Sequence, residues 1–282
     1  MTSSTRADEP RRDQPQERYP VGYHEEVVDF FSGRSAETQA AFLLPHLRPG
    51  VRLLDCGCGP GTITVGLAAV VSPGQVVGVD VEPAQIDAAR ARAARLGLGN
   101  VRFEVASAYD LPFPDASLDA VFMHGVLEHL REPVRALKEA HRVLAAGGVV
   151  GLRHAVLGGH LLWPSDQQVE EFFRLYGLVS RAGGGDPEFG SGQVGCLLEA
   201  GFGRPIPSAS YDCWTSDAEM TSRSAAMIAG FLSRSAMADR AVELGLADRE
   251  GLRRSAEAAL GWGRNPAAFA AEAWCEAVAW KE

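Results

Sequence analysis

The chain of 282 residues has no long hydrophobic run, because glycine, proline or charged residues interrupt every apolar stretch. A transmembrane helix needs about 20 consecutive, mostly apolar residues. The sequence therefore predicts no membrane-spanning segment. Residues 1–20 also lack an apolar segment and are polar, charged and proline-containing, which predicts a disordered lead-in and not a signal peptide.

Positive charge is also scarce. Lysine and arginine number 27 against 36 aspartates and glutamates, which gives a formal net charge of −9. General nucleic-acid binders carry a basic surface, so no nucleic-acid partner is expected. The composition is otherwise that of an ordinary globular protein, and we expect a cytoplasmic one.

The five cysteines have neither the CxxC spacing of a redox pair nor the spacing of a zinc site. We expect reduced thiols, with Cys56 and Cys58 as small residues beside glycines. The sequence shows no HxxxH pair and no acidic cluster of the catechol-enzyme type, so no metal is expected.

Strand-like and helix-like segments alternate through the first half of the chain. After a predicted helix at 35–50, strands are predicted at 51–57, 75–81, 101–107, 117–125 and 149–157, and helices at 62–71, 83–97 and 132–148. This alternation predicts an α/β fold with a Rossmann-like, doubly wound, mostly parallel sheet. Beyond it the sequence predicts helices at 165–183 and 191–202, a strand at 204–214 and a mostly helical region at 217–262. The alanine-rich segment 267–281 is ambiguous.

Glycine occupies every second position after the first predicted strand, at Gly57, Gly59 and Gly61. Because glycine costs entropy on folding, this pattern indicates a backbone bend or a ligand close to the backbone. Ligands of doubly wound sheets bind at the carboxyl ends of the strands, and a helix start offers free N–H groups there. Asp80 ends the second strand and could bind both hydroxyls of a ribose. Thr62, where the dinucleotide pattern has its third glycine, disfavours a pyrophosphate. The pattern predicts an adenosine-containing ligand; the alternative is a structural turn with Asp80 capping the next helix.

These motifs resemble the class I S-adenosylmethionine-dependent methyltransferases, particularly the small-molecule group that includes the ubiquinone/menaquinone-biosynthesis enzymes. The segments that carry the resemblance are 53–61, 76–90, 111–148 and 197–202. The resemblance implies seven strands with an antiparallel last strand, formed by 267–281, and a helical cap. It also implies a division into lid helices at 21–48, a cofactor-binding core at 49–204, and final strands with a cap over the acceptor pocket at 205–282.

The implied cofactor is S-adenosyl-L-methionine, with S-adenosyl-L-homocysteine as the product. Its methionine end would lie among the glycines and Asp55, its ribose on Asp80 and its adenine beside Val81. Ser107 replaces an aspartate of the family pattern, and Asp110 either compensates or is a turn residue. The residues implied to bind the cofactor are Asp55, Gly57, Gly59, Gly61, Asp80, Val81, Ser107, Ala108, His124 and Tyr23. Tyr23 would belong to the lid or simply pack, and Arg34 would reach the cofactor carboxylate or stay solvated.

Methyl transfer to a hydroxyl or an acidic carbon requires removal of a proton, a task suited to histidine. His124, at the end of the fourth strand, is the first catalytic candidate and His154 the second. His129 is more typical of a packing residue, and His160 could border the acceptor pocket with Trp163.

The resulting prediction is methyl transfer to an O, N or C atom of a small, hydrophobic metabolite, in secondary metabolism, by a monomer or homodimer. Two alternatives stay open. One is a cyclase or rearrangement enzyme on the same fold, and the other is a non-catalytic, cofactor-binding partner or sensor.

Overall fold

A computed structural model describes residues 33–282. The predicted lead-in, Tyr23 and the first part of the predicted lid helices lie outside the described residues. The single helix predicted at 35–50 is wrong. Helix α1 covers only Ala36–Gln39, and a 3-10 turn follows at Leu44–His46. Pro45 prevents an α-helix from continuing past Leu44, because it has no N–H for the α-helical ladder, whereas α1 ends six residues earlier.

Seven strands form one sheet in the order β3-β2-β1-β4-β5-β7-β6. They are β1 (Leu53–Cys56), β2 (Val76–Asp80), β3 (Val101–Val105), β4 (Leu118–His124), β5 (Leu144–Trp163), β6 (Gly203–Cys213) and β7 (Phe269–Trp280). The neighbours from β3 to β5 pair parallel, and β7 pairs antiparallel with both β5 and β6. The predicted doubly wound sheet with an antiparallel last strand is confirmed.

Eight further helices accompany the sheet within residues 33–282. They are α2 (Thr62–Val71), α3 (Pro83–Arg95), α4 (Pro133–Val143), α5 (Gln167–Gly183), α6 (Phe189–Glu199), α7 (Ala218–Arg234), α8 (Ala236–Glu243) and α9 (Arg249–Trp262). Three of them start at an aspartate whose side chain accepts a backbone N–H of the first turn, namely Asp166, Asp217 and Asp248. These caps satisfy donors that a helix start leaves open.

The two faces of the sheet pack on different helices. Leu53 and Phe122 are buried in one cluster with α1 and α2, and we call this side of the sheet the α2 face. Leu54 and Val121 are buried in another cluster with α4 and α6, on the α4 face. Because successive strand residues point to opposite faces, neighbours in one strand serve different cores.

A separate cluster holds the cap together. It joins α5 and α7 to α9 with Trp214, which follows β6, and with Ala270 of β7. Leu157 and Leu162 in the last part of β5 also pack on it, so the cap lies at the carboxyl ends of β5 and β6. Helix α5 packs its apolar side chains on this cap. It nevertheless lies before residue 204, where the sequence analysis placed the boundary between the cofactor-binding core and the cap.

Within residues 33–282, no helix is both long and apolar enough to cross a membrane.

Candidate active site

The glycine turn follows β1, and its three glycines serve different needs. Gly57, Gly59 and Gly61 have φ angles of +80°, +51° and +75°, a region that other residues rarely adopt. A Cβ atom on Gly57 would overlap Cγ2 of Val126, and one on Gly61 would lie 2.9 Å from Cβ of Ala89. A Cβ on Gly59 would meet only a side-chain oxygen at 4.0 Å. The backbone at Gly59 is therefore the part of the turn that is open to a ligand.

Asp80 ties this turn to the end of β2. Its Oδ2 accepts the Gly59 N–H at 2.9 Å, and its Oδ1 accepts the Glu82 N–H at 3.0 Å. Burial raises the pKa of Asp80, and the two N–H donors partly oppose that rise. The cap of α3 is Glu82 and not Asp80, so the alternative of Asp80 as a helix cap is wrong. Val81, the next residue, exposes 63% of its surface and offers an apolar contact beside the carboxylate.

Asp55 lies beneath the turn and is buried. Its Oδ2 accepts a hydrogen bond of 2.6 Å from the Thr64 hydroxyl, which fixes the start of α2 to β1. Burial raises the pKa of Asp55 to about 7 despite that bond.

Ser107 and Ala108 lie in the turn after β3. The Ser107 hydroxyl oxygen accepts the Tyr109 N–H at 3.2 Å, and its carbonyl accepts the Asp110 N–H at 3.1 Å. Asp110 is exposed in this turn, which favours the interpretation of Asp110 as a turn residue. A hydroxyl both accepts and donates, so Ser107 keeps the capacity to donate to a ligand.

His124 ends β4 on the α2 face and packs against the Trp274 ring, with 4.7 Å between the centroids. Its Nδ1 lies 3.3 Å from the carbonyl oxygen of Arg153. Because a carbonyl only accepts, Nδ1 carries the hydrogen and Nε2 holds a lone pair. This Nε2 is buried and has no hydrogen-bond partner among the described residues. Burial, together with Arg34 and Arg153, lowers the pKa of His124 well below its usual value, so the ring is neutral.

A buried arginine beside His124 was not predicted. Arg153 is 1% exposed, its Nη2 lies 2.7 Å from Asp212 Oδ1, and its Nε lies 3.4 Å from Glu276 Oε1. The guanidinium carbon sits 4.4 Å from the centre of the Trp274 ring, and Ser210 donates to Glu276 at 2.6 Å. A charge in an otherwise apolar strand needs a partner when it is buried. From this rule the sequence could have predicted that Arg153 has a charged partner, but the rule does not identify which residue that partner is.

His154 is the next residue of β5 and therefore lies on the α4 face, opposite His124. It is fully buried, its Nδ1 lies 3.0 Å from Gln193 Oε1, and its Nε2 lies 3.7 Å from Glu128 Oε2. Burial lowers the pKa of His154 to about 3 and raises that of Glu128 to about 8. The structure thus separates the two predicted catalytic histidines and adds Glu128, which the sequence analysis missed although it directly precedes His129.

Of the remaining candidate residues, some pack in the protein interior and others lie near the site. His129 is in a 3-10 turn at Leu127–His129, where burial lowers its pKa to about 4. His160 stacks on Phe173 and its Nε2 lies 2.7 Å from Glu170 Oε2, so it anchors α5. Trp163 is 65% exposed. Arg34 is half-buried over the Trp274 ring, at 5.4 Å, which places it near His124 and not in open solvent.

Comparisons with known proteins find methyltransferases. A model described as "Methyltransferase domain" matches residues 54–152. An uncharacterized methyltransferase of Schizosaccharomyces pombe is 32% identical over 190 residues, which cover 65% of this chain and 68% of that protein. The 27-O-demethylrifamycin SV methyltransferase of Amycolatopsis mediterranei is 37% identical over 131 residues, 46% of each chain. The crystal structure of the [4+2]-cyclase SpnF matches with a TM-score of 0.54 and 23% identity, over 89% of this chain and 84% of that one, and it shows the fold alone.

The fold and the glycine turn define the class, that of the S-adenosylmethionine-dependent methyltransferases with a Rossmann-like sheet. The chain belongs to the methyltransferase family. The match spans less than half of the rifamycin relative. The substrate in that relative's name is therefore not assigned to this chain.

Proposed function

We propose that the protein moves the methyl group of S-adenosyl-L-methionine to a small organic acceptor at the carboxyl edge of the sheet, beneath the cap. The observation that carries this proposal is the difference among the three glycines. The protein itself fills the space at Gly57 and Gly61, whereas Gly59 leaves its backbone open beside Asp80. A cofactor with a ribose and a flexible charged end fits that opening.

The donor residues follow from these contacts. Each Asp80 oxygen already accepts one N–H and has a further lone pair for a ribose hydroxyl. The exposed Val81 and the buried Ala108 would flank the adenine, and Ser107 would donate to it. The turn from Gly57 to Gly61, above Asp55, would hold the methionine end. When bound, the cofactor supplies a methyl group already activated on a sulfonium, so positioning accounts for much of the catalysis.

His124 faces the acceptor in this proposal. Its buried, unpartnered Nε2 is a neutral acceptor for a hydrogen bond from the hydroxyl or acidic carbon to be methylated. Trp274 and Phe122 both pack on the ring. By its name the rifamycin relative methylates 27-O-demethylrifamycin SV, and this supports a small-molecule acceptor, which we propose to be a hydrophobic metabolite of secondary metabolism. We place the enzyme in the cytoplasm.

The test uses the purified protein, methyl-labelled cofactor and a panel of naphthols, hydroquinones and aromatic amines. We expect label transfer to at least one acceptor class. His124→Phe should reduce the rate by about 100-fold or more. His46→Phe is the matched control, because His46 is exposed and packs on Trp280 away from the site, and it should keep the rate.

Cofactor binding without label transfer to any acceptor would contradict the proposal. That result would favour the cyclase or the sensor alternative. The likeness to SpnF is one of fold, and one fold hosts many reactions, so it does not choose between ring formation and methyl transfer.

A further inference from the structure

Two buried nitrogens at the proposed acceptor side have no hydrogen-bond partner, and their hydrogen-bonding roles are opposite. Trp274 is 3% exposed, and its indole Nε1, which only donates, has no partner among the described residues. His124 Nε2, which holds a lone pair and only accepts, is buried and unpartnered in the same part of the chain. Buried polar groups normally form hydrogen bonds. The two nitrogens therefore point to a ligand group that both donates and accepts.

The sheet brings both nitrogens to one face and one end. His124 ends β4 and pairs with Arg153 of β5, whereas Trp274 of β7 pairs with Ala155, two residues further along β5. Paired residues, and residues two apart in one strand, point to the same face of a sheet. His124 and Trp274 thus share the α2 face, and their rings are in contact, with 4.7 Å between the centroids and 38° between the planes.

The neighbours of Trp274 hold its indole in this position. The guanidinium carbons of Arg153 and Arg34 lie 4.4 Å and 5.4 Å from the ring centre. Glu272, two residues earlier on β7, is close enough for the Trp274 N–H to lower its pKa, but the contact lacks hydrogen-bond geometry. The N–H therefore points towards the start of β7, which lies at the carboxyl edge beside the end of β5. This is the edge at which the acceptor is proposed to bind.

We propose that one hydroxyl of the acceptor bridges the two nitrogens, donating its hydrogen to His124 Nε2 and accepting the hydrogen of Trp274 Nε1. Trp274 is then a specificity-determining residue. The inference rests on the proposed function and narrows the acceptor to a weakly acidic hydroxyl compound, such as a phenol or an enol. The acceptor oxygen gains the methyl carbon and gives its proton to His124 Nε2, and the electron pair of the broken carbon–sulfur bond stays on the sulfur.

Hydrogen-bonding roles distinguish the hydroxyl from other acceptors. A carbon acid and an ammonium group have no lone pair to accept the Trp274 N–H, whereas a hydroxyl has both a hydrogen and lone pairs. An aromatic amine fits less well, because its lone pair is delocalised into the ring and accepts a hydrogen bond weakly. The pair of nitrogens therefore favours methylation of oxygen over that of carbon or nitrogen.

The charges at His124 favour an oxygen that becomes negative. Arg34 and Arg153 both lower the pKa of His124, so they stabilise negative charge that develops beside its ring, as does the Trp274 N–H. His124 is a weak base for the same reason, and a hydroxyl that gives it a proton has to be acidic itself. The imidazole gains a positive charge only as the sulfur loses one, so the total charge of the site stays the same.

The first test observes Trp274 directly and needs no turnover. The full chain, with ¹⁵N in its five tryptophans, is saturated with S-adenosyl-L-homocysteine and titrated with naphthol in NMR. We expect the Trp274 indole proton signal to move downfield, because its N–H gains a hydrogen bond. Naphthalene, which has the same rings and no hydroxyl, should leave that signal in place. The Trp280 signal, from the other end of β7, is the internal control.

The Trp274 signal is assigned by its loss in Trp274→Phe. Should that variant not fold, replacement of the other four tryptophans one at a time assigns the signal by elimination. The titration itself uses the natural chain in both cases.

Kinetics with a hydroxyl acceptor from the labelling test, and with the amine of the same ring system, give the second arm. Trp274→Phe keeps an aromatic ring and loses the N–H, so kcat/KM for the hydroxyl acceptor should fall about tenfold, the worth of one hydrogen bond. The ratio of kcat/KM for hydroxyl over amine should fall too, which a general packing defect would not produce. Trp280→Phe is the matched control, because Trp280 also lies beside an arginine, Arg204, at 5.3 Å; it should keep both values.

A Trp274 signal that every hydroxyl compound of the panel leaves in place would overturn the inference, as would a Trp274→Phe enzyme with an unchanged ratio. Failure of the proposed function is a different result, in which no acceptor takes up label. The Trp274 signal would still report whether a hydroxyl binds beside it.

Discussion

The proposed donor side and the proposed acceptor side of the carboxyl edge are built from different materials. Around β1 and β2 the site is mainly backbone, with glycines at positive φ and N–H groups that Asp80 holds in place. Around β4 to β7 it is made of side chains that converge from distant parts of the chain, with Arg153, Trp274 and Glu128 among them. A backbone site suits one constant cofactor, whereas a side-chain site can change with the acceptor.

The largest expected effect concerns the buried acids on both sides. Burial raises the pKa values of Asp55 and Glu272 to about 7 and that of Glu128 to about 8. At these acids the folded state binds more protons than the unfolded state, so the stability that they contribute is lost as the pH rises to about 8. His124, His129 and His154, whose pKa values burial lowers, act in the opposite direction below about pH 6.5. Denaturant unfolding without cofactor should therefore show the free energy of unfolding falling by an amount on the order of 3 kcal/mol between about pH 6.5 and about pH 8.

Single variants divide this pH effect between the two sides. Glu128→Gln and Asp55→Asn should each reduce the fall in the free energy of unfolding with pH. The effect of Glu128→Gln should appear at the higher pH, because the pKa of Glu128 is about 8 and that of Asp55 about 7. A free energy of unfolding that does not change between about pH 6.5 and about pH 8 would contradict the raised pKa values of these three groups.

Removal of the Arg153 charge should have the next largest effect. Arg153→Met leaves Asp212 and Glu276 without their shared cation and should cost about 3 kcal/mol of stability. The control is Arg52→Met, which breaks an exposed pair with Asp119 and should cost less than about 1 kcal/mol. Equal costs for the two variants would mean that the acceptor-side cluster is not buried as described.

Gly57→Ala tests the backbone side through stability. The new methyl group overlaps Val126, and the alanine backbone has to adopt a φ of +80°. The free energy of unfolding should therefore fall by about 2 kcal/mol. Gly59→Ala, with open space at a φ of +51°, should lose about 1 kcal/mol. Thermal unfolding of the two proteins side by side measures the difference, and the reverse order would refute the distinction between them.

The smallest effect concerns Val81. Val81→Ser removes an exposed apolar contact, so it should leave stability unchanged and weaken cofactor binding by about threefold. Calorimetry with S-adenosyl-L-homocysteine detects such a change. Val105→Ser, a similar exposed valine at the end of β3, is the control, and an equal loss there would argue against a specific adenine contact.

The sequence predicted the strands and the helix around the glycine turn well, because they depend on local signals. Helix 62–71 was predicted with the bounds that the structure has. The first four strands differ from the prediction by at most two residues at each end. The family resemblance, and not composition, identified β7, since its alanines alone favour a helix.

The acceptor side could not be predicted in the same way. Arg153 is 59 residues from Asp212 and 123 from Glu276 in the chain, and no local pattern links residues so far apart. The period of a strand places His124 and His154 on opposite faces only once the register is known. Glu128 stands in a short 3-10 turn whose packing comes from other elements. Tyr23, outside the described residues, stays a prediction.

The central claim is that the open backbone at Gly59 is the cofactor site, and calorimetric titration of Gly59→Val with S-adenosyl-L-methionine tests it most directly. The account predicts binding to the natural chain and, in a variant that still unfolds cooperatively, affinity weaker by about 100-fold or more, or roughly 2.7 kcal/mol. Unchanged affinity in that folded variant would contradict it.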